Sequence, residues 1–339
     1  MKRQMEGKSD FPLWLLEKAA WQCTRNVCWK NDVAKWRSQD RLKYLIRLKK
    51  ELDSGTYRLG KYKEFVITEP KRRLIHSPLF RDRVVQRAMC INGVYDELMK
   101  DSILDSCACQ NGKGVYFAMK RVELHLRRHF HEHGLDGNVV KLDIRHFFQS
   151  IPHAGLHDLV DRKVSNPHYR SLVHEVIDSF NDPGIGLGSQ MCQLLANAYL
   201  NPYDHFAKEK LKCRGYMRYS DDIVMIFNAN DNALDAMRKS NLMLSGIDLE
   251  LNKKSSMHEF RQGVKFLKFH FIFRHGRILR IASKTASRRY ARHFKKLLEC
   301  GVDSGHLAAS LDSWESRMRQ GHNKTIIHNM RRRFQKCIK

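Results

Sequence analysis

The chain has 339 residues, of which 42% are hydrophobic, enough for a buried core and two or three packed subdomains. Its 62 Lys and Arg residues outnumber 36 Asp and Glu residues, which gives a formal net charge of +26. This excess indicates a polyanionic partner, either nucleic acid, where phosphate neutralisation dominates affinity, or an acidic membrane surface. No apolar run approaches the roughly 20 residues that span a bilayer, and the N-terminus makes a poor signal peptide, so we expect a cytoplasmic protein.

The nine cysteines follow no regular spacing. Cys23 and Cys28 form one close pair, and Cys107 and Cys109 flank Ala108 in another. Neither pair has the CxxC spacing that favours zinc. We therefore expect reduced thiols, as in a cytosolic protein.

The first half of the chain predicts helices and one strand pair. Leucines at 42, 45, 48 and 52 predict a helix over 31–53 that ends before Gly55. The segment YKEFVITEPKRRLIHSP predicts two strands around Glu69 and Pro70. Helices are expected over 80–100 and 114–131, separated by the turn CACQNGKG.

The second half predicts the strands of a central sheet and then basic helices. NVVKLDI (138–144) is a buried strand by its β-branched content, and GYMRYSDDIVMIF (215–227) predicts a strand pair around YSDD. From about residue 285 the chain is helical and very basic. This mixture predicts an α+β protein whose antiparallel sheet carries the functional site.

Acidic residues lie at the ends of these predicted strands. Asp221 and Asp222 are expected at a hairpin tip, and Asp143 ends the strand VVKLD. Adjacent carboxylates repel unless a cation neutralises them or one is protonated. Three carboxylates at strand ends are suited to two Mg²⁺ ions, which can activate a hydroxyl and stabilise a leaving phosphate oxygen. The alternative is a surface turn that merely contains two adjacent aspartates.

Several segments in order resemble the motifs of reverse transcriptases. KLDIRHFFQSIP resembles the first palm motif, and RYSDDIV resembles the YxDD motif. Between them, IGLGSQMCQLLANAYLNPYDHF resembles the segment that cradles the template-primer and the incoming nucleotide, and LNKKSS and VKFLKF follow downstream. Upstream, EPKRRLIHSPLFRDRVVQRA resembles the fingers strands. Within the family, the chain most resembles the enzymes of diversity-generating retroelements and related bacterial defence-associated reverse transcriptases.

The resemblance implies an α+β right-hand polymerase fold with fingers, a palm built on an antiparallel sheet, and a helical thumb. The implied domains are an N-terminal helical extension (1–54), fingers (55–137), a palm (138–284) with a fingers insertion at about 155–185, and a basic thumb (285–339). It also implies that Asp143, Asp221, Asp222 and the Ile144 carbonyl bind two Mg²⁺ ions, which Mn²⁺ would replace. Lys254 would protonate or neutralise the pyrophosphate leaving group.

A second group of residues is implied to bind the nucleotide. Phe148 would pack where a ribose 2′-hydroxyl points and so select deoxynucleotides, although a core phenylalanine is the alternative. Arg73 would bind the triphosphate, because a guanidinium contacts phosphate oxygens bidentately. The remaining nucleotide-binding residues are Lys71, Arg72, Leu187, Gly188 and Gln193.

Several residues depart from the family pattern. They bear on the copying accuracy of the enzyme and on the subgroup of reverse transcriptases that the chain resembles. Many reverse transcriptases have Gln where this chain has Leu187, and loss of its hydrogen bond predicts relaxed fidelity, with ordinary packing as the alternative. Cys192, Gln110 and Lys268 stand where Ser, Arg and Gly are usual, which favours the defence-type relatives. Lys268 replaces a glycine of the primer-grip hairpin, where glycine allows close backbone approach.

The basic C-terminal helices resemble a thumb that lies along a duplex and binds phosphates without reading sequence. The residues expected to contact primer and template are Tyr219, Phe266, Leu267, Lys268, Arg288, Arg289 and Arg317.

The expected function is that of an RNA-directed DNA polymerase that extends a primer with dNTPs on an RNA template and yields cDNA. The template would be a dedicated noncoding RNA of an anti-phage defence system or a diversity-generating retroelement. An accessory protein or a second copy of the chain would be further partners, and no membrane partner is expected. The alternatives are a non-catalytic, polymerase-like RNA-binding scaffold, which the three aspartates argue against, and an RNA-dependent RNA polymerase, which Phe148 argues against.

Overall fold

The structure is a computed structural model that describes residues 9–25, 31–68 and 71–338. It divides into two compact units, and each is described by itself. The first unit comprises Met1–Ile103, Arg145–Asp204 and Met243–Glu250, and the second comprises Leu104–Ile144, His205–Leu242 and Leu251–Lys339.

Helices and strands alternate along the described chain. The helices are α1 (Leu13–Thr24), α2 (Asn31–Ala34), α3 (Arg41–Asp53), α4 (Phe80–Met89), α5 (Tyr95–Met99), α6 (Val115–His133), α7 (Phe147–Ser150), α8 (His153–Lys163), α9 (Pro167–Asp178), α10 (Gln190–Tyr199), α11 (Asn201–His205), α12 (Ala233–Ser245), α13 (Lys284–Glu299), α14 (Ser304–Met318) and α15 (Lys324–Ile338). The strands are β1 (Lys63–Ile67), β2 (Arg73–Ser77), β3 (Asn138–Asp143), β4 (Gly215–Tyr219), β5 (Asp222–Phe227), β6 (Ser256–Glu259), β7 (Val264–Phe266), β8 (Phe269–Arg274) and β9 (Arg277–Ala282).

The first unit is mainly helical. Leu15, Leu16 and Ala19 of α1 are fully buried, because the apolar face of this helix packs against α3 and α4. Helix α9 begins with a side-chain cap, since Asn166 accepts a hydrogen bond from the Tyr169 N–H and Pro167 occupies the first helical position. These contacts bury an all-helical core.

A two-stranded hairpin also belongs to the first unit. β1 and β2 pair antiparallel from Lys63 opposite Ser77 to Ile67 opposite Arg73. The side chains of β1 are exposed, so this ribbon contributes little to a core. The residues expected at its turn, Glu69 and Pro70, lie outside the described residues.

The second unit is built on an antiparallel sheet of order β4-β5-β3-β6. Val139, Val140 and Leu142 of β3 are fully buried, as their β-branched and apolar content predicts. Helix α6 packs on the sheet at β4 and β5, and a second sheet of order β7-β8-β9 completes the same core. This arrangement places both ends of β3 and β5 in a rigid layer.

The three C-terminal helices pack through aromatic and aliphatic side chains. The rings of Tyr290 and Trp314 stack with centroids 4.9 Å apart, and Met318 and Met330 are buried beside them. Glu315 is also buried and accepts hydrogen bonds from Arg331 at 2.5 and 2.6 Å. The exposed residues of α13 include the basic Arg288 and Arg289.

Most elements expected from the sequence are confirmed, with two corrections. The strand pairs, the strand at 138–143, the helix at 115–133 and the basic C-terminal helices all occur. The expected helix over 31–53 is wrong in part, because residues 35–40 form turns in which Ser38 Oγ donates to the Lys35 carbonyl. Leu42 is 52% exposed and does not join Leu45, Leu48 and Leu52 in the core.

The expected helix over 80–100 is interrupted at residues 90–94, where Gly93 has a φ of +122°. The free cysteines of the described residues include Cys23, Cys107 and Cys109, whereas Cys28 lies outside those residues. Across the described residues, none of the helices combines the length and the apolarity that a bilayer crossing needs.

A buried ion cluster in the second unit yields a stability prediction. Asp105 is 4% exposed and lies 2.7 Å from Arg121 Nε, 3.0 Å from His125 Nε2 and 3.2 Å from Lys208 Nζ. Burial raises the pKa of Asp105, but the hydrogen bonds from His125 and Arg121 and the Lys208 charge outweigh it and lower the pKa below its usual value. The ionised carboxylate therefore stabilises the fold.

We expect Asp105→Asn to lower the free energy of unfolding at neutral pH by about 3 kcal/mol, because it leaves buried cations without a counter-charge. Since the folded pKa is lowered, this stabilisation is present above about pH 4 and is lost as the pH falls below it. Chemical denaturation at several pH values measures the difference. Asp235→Asn, which breaks an exposed pair with Lys239 at 2.7 Å, is the matched control and should change stability little.

Candidate active site

Two carboxylates face each other where β3 ends and β5 begins. Asp143, the last residue of β3, is the register partner of Asp222, the first residue of β5. Residues in direct antiparallel register have Cβ atoms about 4.5–5.5 Å apart. Asp221 precedes Asp222 in the two-residue loop between β4 and β5. The three aspartates singled out by the sequence are therefore gathered at one end of the sheet.

The loop that carries Asp221 is held by a buried arginine. Ser220, the first loop residue, has a φ of +58°, which fits the primed turns that match strand twist. Arg218 is 1% exposed, and its guanidinium donates to the Ser220 carbonyl at 3.3 Å and to Ser106 Oγ at 2.9 Å. Arg218 was not among the residues expected at the site, although an arginine inside an apolar strand indicates a specific role.

The main chain of Asp143 is fixed by the segment LNKKSS. The Asn252 N–H donates to the Asp143 carbonyl at 2.7 Å, and the Asp143 N–H donates to Ser255 Oγ at 3.2 Å. Lys254 lies in this turn with an exposed side chain, and its N–H donates to Asn252 Oδ1. The structure thus brings the turn of Lys254 to the strand end that carries Asp143.

Electrostatics single out Asp222. The pKa of its carboxyl is raised to about 6, mainly by burial and also by Asp221 and Asp143, while Lys141 acts to lower it. Lys141 Nζ lies 3.3 Å from Asp222 Oδ1 and also donates to the Lys265 carbonyl at 2.8 Å. Lys141 was not among the expected site residues. Its position two residues before Asp143, on the same face of β3, was the signal.

The donor set fits a hard divalent cation. Asp222 Oδ1 is buried and accepts no hydrogen bond from the described residues, so its contact with Lys141 is a purely ionic one. Carboxylate oxygens are the ligands that Mg²⁺ prefers. Among the described residues no three His, Cys, Asp or Glu side chains are already arranged around a metal position. The backbone therefore places the acids, while Lys141 rather than a cage of ligands neutralises Asp222. Ile144, whose carbonyl was expected as a further ligand, is buried and bridges to Leu251.

The residues expected to bind the nucleotide lie in the first unit, and several of them meet there. Phe148 is half-buried against Phe147, with ring centroids 5.3 Å apart, and its carbonyl accepts the Ile185 N–H at 2.7 Å. The Leu187 carbonyl accepts the His76 N–H of β2 at 2.7 Å. Gly188 has a φ of +118°, and a Cβ there would lie 2.8 Å from the His76 carbonyl oxygen. The close approach of β2 to residues 187–188 therefore requires this glycine.

The remaining expected nucleotide contacts are placed at the edges of this region. Lys71, Arg72 and Arg73 are exposed at the start of β2. Gln193 is half-buried on α10, one residue after the fully buried Cys192. Cys192 therefore packs in the core of the first unit.

The expected primer and template contacts fall into two groups. Tyr219 is half-buried at the end of β4, and Phe266 is 1% exposed, so the Phe266 side chain belongs to the core. Leu267 and Lys268, with φ values of +47° and +71°, form the two-residue loop between β7 and β8. Lys268 thus adopts the backbone conformation that a glycine would favour. The exposed contacts expected on the C-terminal helices are Arg288, Arg289 and Arg317.

Comparison with known proteins gives similarity at the level of solved structures. No protein-family model and no curated protein matches the chain. A telomerase from Candida albicans, solved in complex with a fragment of telomeric RNA, has a TM-score of 0.49 and 12% identity over 83% of this chain. An apo telomerase from Candida tropicalis has a TM-score of 0.48 and 10% identity over 63% of this chain, and its form truncated from the C-terminal domain has 0.48 and 12% over 68%.

The chain spans about half the length of these matched structures, at 55%, 46% and 58%.

The pairing of Lys141 with Asp222 is testable. We expect Lys141→Met to raise the pKa of Asp222 above its value of about 6, because the nearby Lys141 cation favours the ionised carboxylate. NMR titration of ¹³C-labelled aspartate carboxyl carbons measures this, with Asp222→Asn to assign the signal. Lys239→Met, at an exposed ion pair, is the control, and an unchanged Asp222 titration in Lys141→Met would contradict the pairing.

Proposed function

We propose that this chain is an RNA-directed DNA polymerase that extends a primer with deoxynucleotides by phosphoryl transfer. The observation that carries the proposal is the register pairing of Asp143 with Asp222, with Asp221 in the adjoining loop. Three carboxylates at one strand end repel one another unless cations neutralise them or one is protonated, and Lys141 supplies a single positive charge. Neither a core nor an RNA-binding surface needs this arrangement.

Asp143, Asp221 and Asp222 would hold two Mg²⁺ ions, with the Ile144 carbonyl as a further oxygen ligand and Mn²⁺ as a substitute. Ions held there would supply positive charge that stabilises the phosphate as pyrophosphate is displaced. The burial of Asp222 Oδ1 beside Asp143 supports this assignment. Arg218 positions the loop of Asp221, while Asn252 and Ser255 fix the main chain of Asp143.

Other residues would bind and select the nucleotide. Phe148 would exclude a 2′-hydroxyl, because its ring would pack where that group points. Arg73, with Lys71 and Arg72, would hold the triphosphate from the exposed start of β2. Lys254 would neutralise the pyrophosphate as it leaves.

The nucleic acid would be bound mainly through its phosphates. The net charge of +26 and the exposed Arg288, Arg289 and Arg317 support such binding. In this assignment the β1–β2 region forms the fingers, the sheet with the aspartates forms the palm, and α13–α15 form the thumb. We propose a dedicated noncoding RNA as the template, from a bacterial defence system or a diversity-generating retroelement, on the basis of the motif resemblance.

Primer extension by the purified chain tests the proposal. On an RNA template with a DNA primer and Mg²⁺, we expect extension with dNTPs and far less with rNTPs. Loss of a group that only supports a metal ligand costs about 10–100-fold in activity. Asp221→Asn and Asp222→Asn change the ligands themselves, so each should reduce the rate of primer extension by more than that. Asp235→Asn, an exposed acid on α12, is the control. Extension by the active-site variants at the wild-type rate would overturn the proposal, and a preference for rNTPs would indicate an RNA polymerase.

Fidelity provides a second test of the nucleotide site. Leu187→Gln should lower the misincorporation rate by about fivefold, the equivalent of one hydrogen bond of about 1 kcal/mol. Sequencing of the cDNA product measures the rate. Leu187→Met keeps the volume and adds no comparable hydrogen bond, so its error rate should equal that of the wild type. Equal rates in all three proteins would mean that Leu187 only packs.

A further inference from the structure

Helix α1 in the first unit has an outer face that the proposed polymerase activity does not use. Leu15, Leu16, Ala19 and Ala20 bury the inner face of the helix in the core. The outer face carries Trp14, Lys18, Trp21 and Arg25, a set that we call the α1 ridge. Because these positions are three or four residues apart, their side chains form one line along the helix and its C-terminal end.

Both tryptophans of the ridge are exposed to an unusual degree. Trp14 is 60% exposed and Trp21 is 55% exposed, although each carries a large apolar ring that a core would normally cover. The Arg25 guanidinium carbon lies 4.2 Å from the centroid of the Trp21 ring, a cation–π contact that holds this ring in place. The ridge therefore presents the aromatic surface of two tryptophans to solvent.

The charge of the ridge is positive. Lys18 and Arg25 are exposed and pair with no carboxylate among the described residues. Glu17, the neighbouring acid on α1, is bound by Arg41 of α3 at 2.8 Å. An apolar protein partner would have to bury two uncompensated cations together with the rings, which is unfavourable.

We propose that the α1 ridge binds single-stranded nucleic acid, with bases stacked on Trp14 and Trp21 and phosphates paired with Lys18 and Arg25. The two tryptophans are about 10 Å apart along the helix axis, and Lys18 lies between them. An extended strand offers π-faces alternating with phosphates, which matches this alternation of rings and cations. A duplex keeps its bases stacked inside, so it cannot use the rings in this way. The inference does not depend on polymerase activity.

The test uses the full chain and a short, unstructured oligoribouridylate that carries a fluorescent label. We expect the double variant Trp14→Ala, Trp21→Ala to bind it about thirtyfold more weakly or worse, because two base-stacking contacts are lost. Lys18→Gln should reduce the slope of log affinity against log salt by about 0.7, the value for one lost contact to a single strand. Oligodeoxyuridylate in a parallel titration separates RNA from DNA.

Two paired variants separate stacking from general apolar contact. Trp14→Phe, Trp21→Phe keeps aromatic faces and should retain most of the affinity, whereas Trp14→Leu, Trp21→Leu keeps apolar surface alone and should lose it. Leu242→Ala, which removes a 71% exposed leucine in the second unit, should leave affinity unchanged. Wild-type affinity in the Leu double variant would overturn the proposal. The proposal would also be overturned if a ridge variant changed the oligomeric state in sedimentation but not the affinity for the oligonucleotide. A second copy of the chain would then cover the ridge.

A local readout removes interference from other nucleic-acid contacts. Photo-crosslinking with 4-thiouridine RNA, mapped by mass spectrometry, should place crosslinks on Leu13–Thr24, and these should disappear in the Ala double variant. Asp221→Asn should keep the ridge crosslinks while it abolishes extension. Failure of the proposed polymerase activity and failure of the ridge are therefore distinguishable. Crosslinks that avoid α1 altogether would refute the ridge.

Discussion

The central constraint on this protein is the repulsion among three carboxylates that the backbone brings to one end of a sheet. The register of β3 and β5 sets Asp143 opposite Asp222, and the tight loop from β4 adds Asp221. Partial burial makes the repulsion stronger. Burial and the two neighbouring carboxylates together raise the pKa of Asp222 to about 6. Several neighbouring groups serve to keep this unfavourable arrangement in place.

Comparison with Asp105 and Glu315 shows how the surroundings of Asp222 differ from those of two other buried acids. Asp105 is surrounded by Arg121, His125 and Lys208, and Glu315 accepts hydrogen bonds from Arg319 and Arg331. Hydrogen bonds from these partners lower the pKa of both acids, because they outweigh burial. Among the described residues, Asp222 is paired with Lys141, whose Nζ lies 3.3 Å from Asp222 Oδ1. A buried acid that its own fold leaves under-compensated is expected at a functional site rather than in a structural ion pair.

The parts of the site that follow from local sequence could be predicted, and those that depend on distant contacts could not. The β-branched runs around Asp143 and YSDD indicate strand ends directly, so the three aspartates were placed correctly together. Lys141 reaches Asp222 because of the register of β3 with β5, and Arg218 is held by a hydrogen bond to Ser106. Neither contact can be predicted from one segment of the sequence. Phe266 was expected at the primer, but its side chain packs in the core. One segment does not show which of its side chains are buried by distant elements.

Local propensity also failed where polar side chains compete with the helix. The leucine spacing over 31–53 predicts one helix, but Ser38 bonds to the main chain and the turn before α3 interrupts it. That break leaves Leu42 at the first turn of α3, where it is exposed. Periodicity thus identified the core leucines further along α3, but it could not locate the start of the helix.

The distribution of charge links the ion clusters to the binding surfaces. Several of the 36 acidic residues are buried, as Asp105 and Glu315 are. Each of these two is paired with basic side chains. The cations left on exposed helix faces, such as Lys18, Arg288 and Arg317, therefore have no carboxylate partners within the described chain. Their mutual repulsion opposes the compact state, and a bound polyanion relieves it. Nucleic-acid binding should thus stabilise the folded chain as well as occupy its surface, and both effects should weaken together as salt rises.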